Sequence, residues 1–110
     1  VKVVGTQAGK ALYFSRSAIP SNFRVDQVEI FQQTGIIGFS AGFLGIYAGL
    51  KPTPLEGVES IDMLRVIEHG HHLQLVYTNT ETIGVDTPEE LSRAATVLEC
   101  DPLTLTYLGR

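Results

Sequence analysis

The sequence predicts an α/β fold with a mixed sheet, on three observations. The runs Val1-Lys2-Val3-Val4 and Ala11-Leu12-Tyr13-Phe14 are short, rich in β-branched and aromatic residues, and separated by a glycine-bounded turn. Residues 54–69 carry apolar side chains at helical spacing and are stopped by Gly70. In Gly84-Val85-Asp86-Thr87-Pro88-Glu89-Glu90-Leu91 a short apolar run gives way to a strongly capped helix. Strands followed by two helices, a further strand and a last helix indicate mixed strand directions.

The elements follow in order. Val1 to Val4 and Ala11 to Phe14 form a hairpin about the turn at Gly5 to Gly9. Ser15 to Asn22 is a loop containing Ile19-Pro20, and the apolar residues Val25, Val28 and Ile30-Phe31 show no clear period and receive no assignment. Thr34 to Phe39 reads as a short buried strand. Ser40 caps a helix over Ala41 to Leu50, which Lys51-Pro52 ends. One long helix is expected from about Pro54 to His69, with Leu55, Val58, Ile61 and Met63-Leu64 on one side. His71 to Thr78 alternates Leu73, Leu75 and Tyr77 like a half-buried strand. Ile83 to Val85 is a strand stub, and Pro88 to about Glu99 a helix burying Leu91, Ala94, Ala95 and Leu98. The tail from Asp101 alternates Leu with Thr, as an added edge strand does.

With 110 residues, the chain has the size of one domain with one core. A hydrophobic fraction of 44% against 18% charged residues is that of a globular chain. The net charge of −4 and the scattered lysines and arginines argue against a nucleic-acid backbone as partner. No apolar run has the length of a membrane span. The single cysteine, Cys100, excludes an internal disulfide and fits a reducing cytoplasm. The chain starts with Val on an apolar run, as a piece of a longer protein would.

Four groups of residues are candidates for chemistry. Asp86 stands where a strand stub meets a helix held by Thr87, Pro88 and Glu90. It is either a hard-oxygen ligand suited to Mg²⁺ or a carboxylate that merely favours the helix N-terminus. Arg16, at a strand end, can fork onto a carboxylate or phosphate, or be an ordinary exposed arginine. His69, His71 and His72 crowd a helix end without a cysteine to complete a zinc site, so helix-end histidines are the better reading. Cys100 has no activating neighbour and reads as a packed or idle thiol. No phosphate-cradling glycine loop of the GxxxxGK[ST] or GxGxxG type is present.

Taken together, the ordered blocks Val1 to Val4, ALYFSR (Ala11 to Arg16) with Ile19-Pro20, Pro54-Leu55-Glu56 with Leu64-Arg65-Val66, and GVDTPEEL (Gly84 to Leu91) resemble the CMP-KDO synthetases. These are 3-deoxy-manno-octulosonate cytidylyltransferases. The resemblance is to the C-terminal half of that family and runs from Val1 to about Glu99. It implies a nucleotidyltransferase fold of the nucleotide-diphospho-sugar transferase kind, including its dimerisation lobe, over residues 1–99, with 100–110 a tail of no assigned role. It also implies an enzyme that joins CTP to an acidic 3-deoxy sugar for lipopolysaccharide synthesis, working in the cytoplasm as a homodimer with Mg²⁺. On this resemblance Asp86 is a Mg²⁺ ligand, and Arg16, Gln33 and Asp62 face the sugar acid. The family's CTP-binding loop and second metal aspartate belong to its N-terminal half and have no counterpart here.

Departures from the family pattern fall at the sugar-acid side. Where the family usually carries His-x-Gly-Ile-Tyr, this chain has Gln33-Thr34-Gly35-Ile36-Ile37. Its Glu-Gln pair before Leu-Arg is here Asp62-Met63, which keeps one carboxylate on a shorter arm and loses an amide. The resemblance implies KDO or a related 3-deoxy sugar acid as substrate, and these exchanges point toward the related acid or an inactive relative. The alternative is a truncated, non-catalytic dimerisation module of the same fold, for which Ile36, Ile37 and Phe39 would supply apolar surface.

Overall fold

The computed structural model describes residues 1–109. The chain divides into two compact units, Val1–Tyr77 and a second beginning at Thr78.

In the first unit the expected hairpin forms. Strand β1 (Lys2–Gly5) pairs antiparallel with β2 (Ala11–Ser15), with Val3 opposite Phe14 and an irregularity between Val4 and Gly5. A two-residue strand, β3 (Phe31–Gln32), pairs antiparallel with the other edge of β1, so the order is β2-β1-β3. The mixed sheet expected from sequence is thus corrected: every strand pairing among the described residues is antiparallel.

The expected strand over Thr34 to Phe39 does not form; pairing stops just past β3, where the Gln33 N–H donates to the Val1 carbonyl at 2.9 Å. Gly35, at φ 85°, then turns the chain out of an extended path, which leaves Ile36 exposed. His71 to Thr78 is also not a strand. It touches the hairpin through one bridge, Gln74 to Lys10, flanked by Ala11 N–H to the Leu73 carbonyl (2.9 Å) and Leu75 N–H to the Gly9 carbonyl (2.7 Å). The segment meets the hairpin where the chain is leaving its turn, so it finds few backbone partners. Leu73 and Leu75 still pack on the core, as their alternation suggests.

Helix α1 (Ala41–Gly49) starts as expected, with the Ser40 hydroxyl accepting from the Phe43 N–H at 3.2 Å. It is apolar throughout, yet none of its residues is buried. Phe43 and Tyr47 lean on the core, and Phe39 packs against both rings.

The long helix expected from Pro54 to His69 is two helices, α2 (Pro54–Glu59) and α3 (Leu64–Glu68). The break is at Ser60, whose φ of 55° and ψ of 49° are left-handed. Unbroken helical spacing would bury Val58; the elbow instead leaves Val58 exposed and turns Ile61, Met63, Leu64 and Val66 inward. Those four, with Val3 from β1 and Phe14 from β2, make the buried core. The Glu56 carboxylate ties the elbow together. It takes Arg65 Nε at 2.8 Å and Arg65 Nη2 in a second, short contact, and accepts the Thr53 N–H at α2's start. Gly70, at φ 80°, ends α3 as its position in sequence suggests; its N–H donates to the Ile67 carbonyl.

Ser60 supplies a first prediction. A left-handed non-glycine residue is disfavoured by about 1 kcal/mol relative to glycine, part of which the looser unfolded chain of a glycine variant returns. Ser60→Gly should therefore raise stability by about 0.5 kcal/mol, read as a higher urea midpoint at unchanged m-value. A lower midpoint would show that the Ser60 side chain supports the elbow.

In the second unit, the stub expected at Ile83 to Val85 has no strand partner and is coil. Helix α4 (Pro88–Glu99) forms with its full capping box: Thr87 Oγ1 accepts the Glu90 N–H at 3.2 Å, and Glu90 Oε2 accepts the Thr87 N–H at 2.9 Å. Its expected buried face is corrected, since α4 has no buried residue and Leu91 and Leu98 are exposed. The tail is not an edge strand either. It is helix α5 (Pro102–Tyr107), because the Asp101 carboxylate caps the Thr104 N–H at 2.7 Å and Pro102 takes the first helical position. That local start outweighs the Leu/Thr alternation.

Candidate functional site

Beyond β3 and at the α2–α3 elbow, the first unit forms an open pocket of about 230 Å³. Gln33 and Asp62, far apart in sequence, both line it. Its remaining wall is largely apolar, from Ile37, Ile61 and Met63. Gln33 is half-buried and held at its backbone by Val1, while Asp62 is exposed and lies between the buried Ile61 and Met63.

Arg16 lies just past β2 and reaches the same elbow. Its Nε donates to the Glu59 carbonyl at 2.6 Å and its Nη2 to the Ser60 carbonyl at 2.7 Å. Its own N–H donates to Glu59 Oε2 at 2.7 Å. Glu59 Oε1 accepts from the Ser15 hydroxyl at 3.0 Å and, more loosely, from the Tyr13 hydroxyl at 3.4 Å. Sequence reasoning missed Glu59. The signal was on β2, where Tyr13 and Ser15 set two hydroxyls on one face, opposite Phe14 and next to Arg16. Such a row of donors calls for an acceptor.

The Arg16 N–H above all, helped by the two hydroxyls, holds the Glu59 carboxyl below the ordinary glutamate range. Burial, and then the Glu59 charge, push the Tyr13 hydroxyl up. A carboxyl whose folded value is depressed stabilises the fold fully above its unfolded value, about 4.3. That stabilisation is lost as pH falls below the unfolded value and through the lower folded one. Glu56, depressed chiefly by its hydrogen bond to Arg65, loses its share over the same acid range. The expected result is that the acid-side slope of stability against pH is shallower in Glu59→Gln than in the parent, measured by urea midpoints from pH 6 downward. Identical slopes would contradict the Glu59 contacts.

Asp86 belongs to the second unit, just before α4. Its N–H donates to Glu90 Oε2 at 2.8 Å, so its backbone is fixed by the cap. Its exposed carboxylate makes no hydrogen bond among the described residues. Mg²⁺ in nucleotide enzymes commonly takes one or two carboxylates, with water and phosphate oxygens completing an octahedron. A fixed, unengaged carboxylate fits as one such ligand. Among the described residues no group of three His, Cys, Asp or Glu side chains gathers around a common point. The three histidines do not converge: His69 Nε2 bonds the Lys51 carbonyl at 2.9 Å and His71 packs edge-on to Phe43. Cys100 is exposed, and no described helix is long and apolar enough to cross a membrane.

No family model matches the chain. Curated proteins do. The 3-deoxy-manno-octulosonate cytidylyltransferase of Anaeromyxobacter sp. (strain Fw109-5) is 43% identical over 104 residues, 93% of this chain and 42% of that protein. That of Synechococcus elongatus is 44% identical over 95 residues, 86% of this chain and 39% of that protein. That of Syntrophobacter fumaroxidans is 39% identical over 103 residues, 92% of this chain and 41% of that protein. The chain spans about two fifths of the length of these relatives. Across nearly its whole length, then, the chain is similar to the 3-deoxy-manno-octulosonate cytidylyltransferases, the CMP-KDO synthetases that its motifs resemble.

Proposed function

We propose that this chain is the sugar-acid side of a cytidylyltransferase that moves CMP from CTP onto KDO or a related 3-deoxy sugar acid. The observation that carries the reading is 43% identity over 93% of the chain to a protein named for that reaction. Residues 1–99 would be the cytidylyltransferase part, corresponding to the C-terminal half of the relatives, with 100–110 a tail of no assigned role. The CTP-binding half would come from elsewhere in the parent protein. The whole would be a cytoplasmic homodimer of the nucleotide-diphospho-sugar transferase fold, acting in lipopolysaccharide synthesis.

In the reaction, a sugar hydroxyl oxygen gives up its proton to solvent and bonds to the α-phosphorus of CTP, the bond from that phosphorus to the bridging oxygen breaks, and pyrophosphate leaves. In this reading the Arg16 guanidinium and the Gln33 amide give N–H donors to the sugar carboxylate, and Asp62 accepts from a sugar hydroxyl. Ile37, Ile61 and Met63 give that side of the pocket an apolar wall. Asp86 would hold Mg²⁺, which when bound offsets the charge that gathers at the α-phosphate. The chain's task is alignment and charge placement, the main needs of phosphoryl-type transfer.

The test is to incubate the full protein carrying this chain with CTP, Mg²⁺ and a panel of 3-deoxy sugar acids, following pyrophosphate. Release with at least one acid is expected; none with any acid removes the enzymatic reading. The apolar helix α1, with Leu44 and Ile46 half exposed, favours a second reading as a dimerisation module without catalysis. Sedimentation showing only monomer at high concentration would remove that one.

A further inference from the structure

Ser60, Ile61, Asp62 and Met63 are consecutive and all line the pocket, so one wall of the pocket is the elbow itself. Whatever fixes the elbow fixes that wall. An elbow that depends on a left-handed serine is not held by local backbone preference. Its own N–H and the N–H of Ile61 (3.3 Å) both reach the Glu56 carbonyl, the one local backbone acceptor at the turn. The burial of Ile61 and Met63 pulls the chain inward, and the Asp62 carbonyl accepts the Arg65 N–H at 3.1 Å, but neither contact reaches back to Ser60.

Two ties hold the elbow: the Glu56–Arg65 pair joins α2 to α3, and a second tie comes from the end of β2. Arg16 grips the carbonyls of Glu59 and Ser60, while the Glu59 carboxylate grips the Arg16 N–H and the hydroxyls of Ser15 and Tyr13. The two residues hold each other reciprocally, one through its guanidinium and the other through its carboxylate. Ser15 is buried at 3% exposure although polar, and its hydroxyl is satisfied by Glu59. Arg16 Nη1 has no hydrogen-bond partner among the described residues, so the clamp leaves part of the guanidinium available.

We propose that Glu59 is the positioning residue of this pocket: by joining Tyr13, Ser15 and Arg16 it sets the elbow that presents Asp62 and Met63, and it aims Arg16 at an anionic sugar acid. The identity of the ligand rests on the function proposed above; the clamp does not. Glu59 touches no substrate. Its effect reaches the ligand through Arg16 and the Ser60–Met63 backbone.

The test uses the full protein carrying the chain, with KDO and CTP as probes. Losing the clamp in Glu59→Ala should raise KM for KDO by about tenfold, the scale of one or two well-placed hydrogen bonds, with KM for CTP nearly unchanged. Glu59→Gln should return KM for KDO to near the parent value, because the Ser15 and Tyr13 hydroxyls can turn to accept from its amide. An unchanged KM for KDO in folded Glu59→Ala, or equal rises in both KM values, overturns the proposal. If Glu59→Ala does not fold, Glu59→Asp, which keeps the charge but shortens the arm by a methylene, should still raise KM for KDO selectively. If the parent protein releases no pyrophosphate with any sugar acid, the proposed reaction fails, and the elbow is read directly by amide NMR. Movement of the Ser60–Met63 amide signals in Glu59→Asp, with recovery in Glu59→Gln, then supports the clamp. Stationary signals overturn it.

Discussion

Leu64→Ala is expected to cost about 3 kcal/mol of folding stability, within the range of about 2–5 kcal/mol typical of such truncations in a core. Leu64 has 0% exposure and sits with Val3, Phe14 and Val66 in a small core, at the first residue of α3. Truncation removes the transfer energy of the lost carbons and leaves a cavity between sheet and elbow. That cavity cannot easily collapse, because α3 is tied by the Arg65–Glu56 pair on one side and Gly70 ends it on the other. Small domains are stable by only about 5–15 kcal/mol, so the loss is a large share of the total. Two companions make the reading specific. Leu64→Met conserves volume and should cost less than about 1.5 kcal/mol. Val58→Ala, at 81% exposure on the same stretch of sequence, should change stability by less than about 0.5 kcal/mol. Urea titration of the three variants decides the matter. A cost for Leu64→Ala below about 1 kcal/mol, or an equal cost at Val58, would restore the continuous helix that spacing alone predicts.

The comparison of Val58 with Leu64 also shows what sequence can carry. Features decided within four or five residues were legible. The Ser40 and Thr87 caps, the Gly70 stop and the Gly5 to Gly9 turn all formed where local chemistry puts them. Features that depend on a distant partner were not. Thr34 to Phe39 and His71 to Thr78 have strand-like composition, but a strand needs backbone donors and acceptors beside it, and those come from elsewhere in the chain. The elbow at Ser60 was hidden for a related reason. The burial of Ile61 and Met63 against β1 and β2 outweighs the continuity of a helix that the apolar spacing supports. In the tail the conflict was local. Alternation pointed to a strand, and the cap that Asp101 gives the Thr104 N–H, with Pro102 behind it, starts a helix instead.

For the candidate site, the legible part came from motifs rather than from periodicity. Nothing in the pattern of apolar residues links Gln33 to Asp62, yet both line one pocket, with Arg16 bound to the adjoining carbonyls. Glu59 carries no motif, and its position at the end of α2 looked like any helical glutamate. Its contacts come from two donors on β2 and one just past it, a property of tertiary structure that only the row of hydroxyls on β2 foreshadowed.

Asp86→Asn should separate the two readings of the residue that sequence left open. If Asp86 only favours the N-terminus of α4, the change leaves turnover intact and costs only a few tenths of a kcal/mol of charge–dipole interaction, since its N–H donates to Glu90 Oε2 in either variant. Glu90 itself is held below the ordinary glutamate range chiefly by this N–H, which asparagine retains. Thermal stability should therefore change by less than about 0.5 kcal/mol. If Asp86 is a metal ligand, the neutral amide is a poor replacement for a hard anionic oxygen. Pyrophosphate release by the full protein with CTP and a sugar acid should then fall by about a hundredfold or more, and the Mg²⁺ concentration for half-maximal rate should rise. The geometry makes the substitution clean, because the carboxylate is exposed and has no hydrogen-bond partner among the described residues to lose. Unchanged turnover and unchanged Mg²⁺ dependence would return Asp86 to the role of a cap neighbour. A fall in activity with an unaltered melting curve would instead give the aspartate of GVDTP a function that helix capping cannot explain.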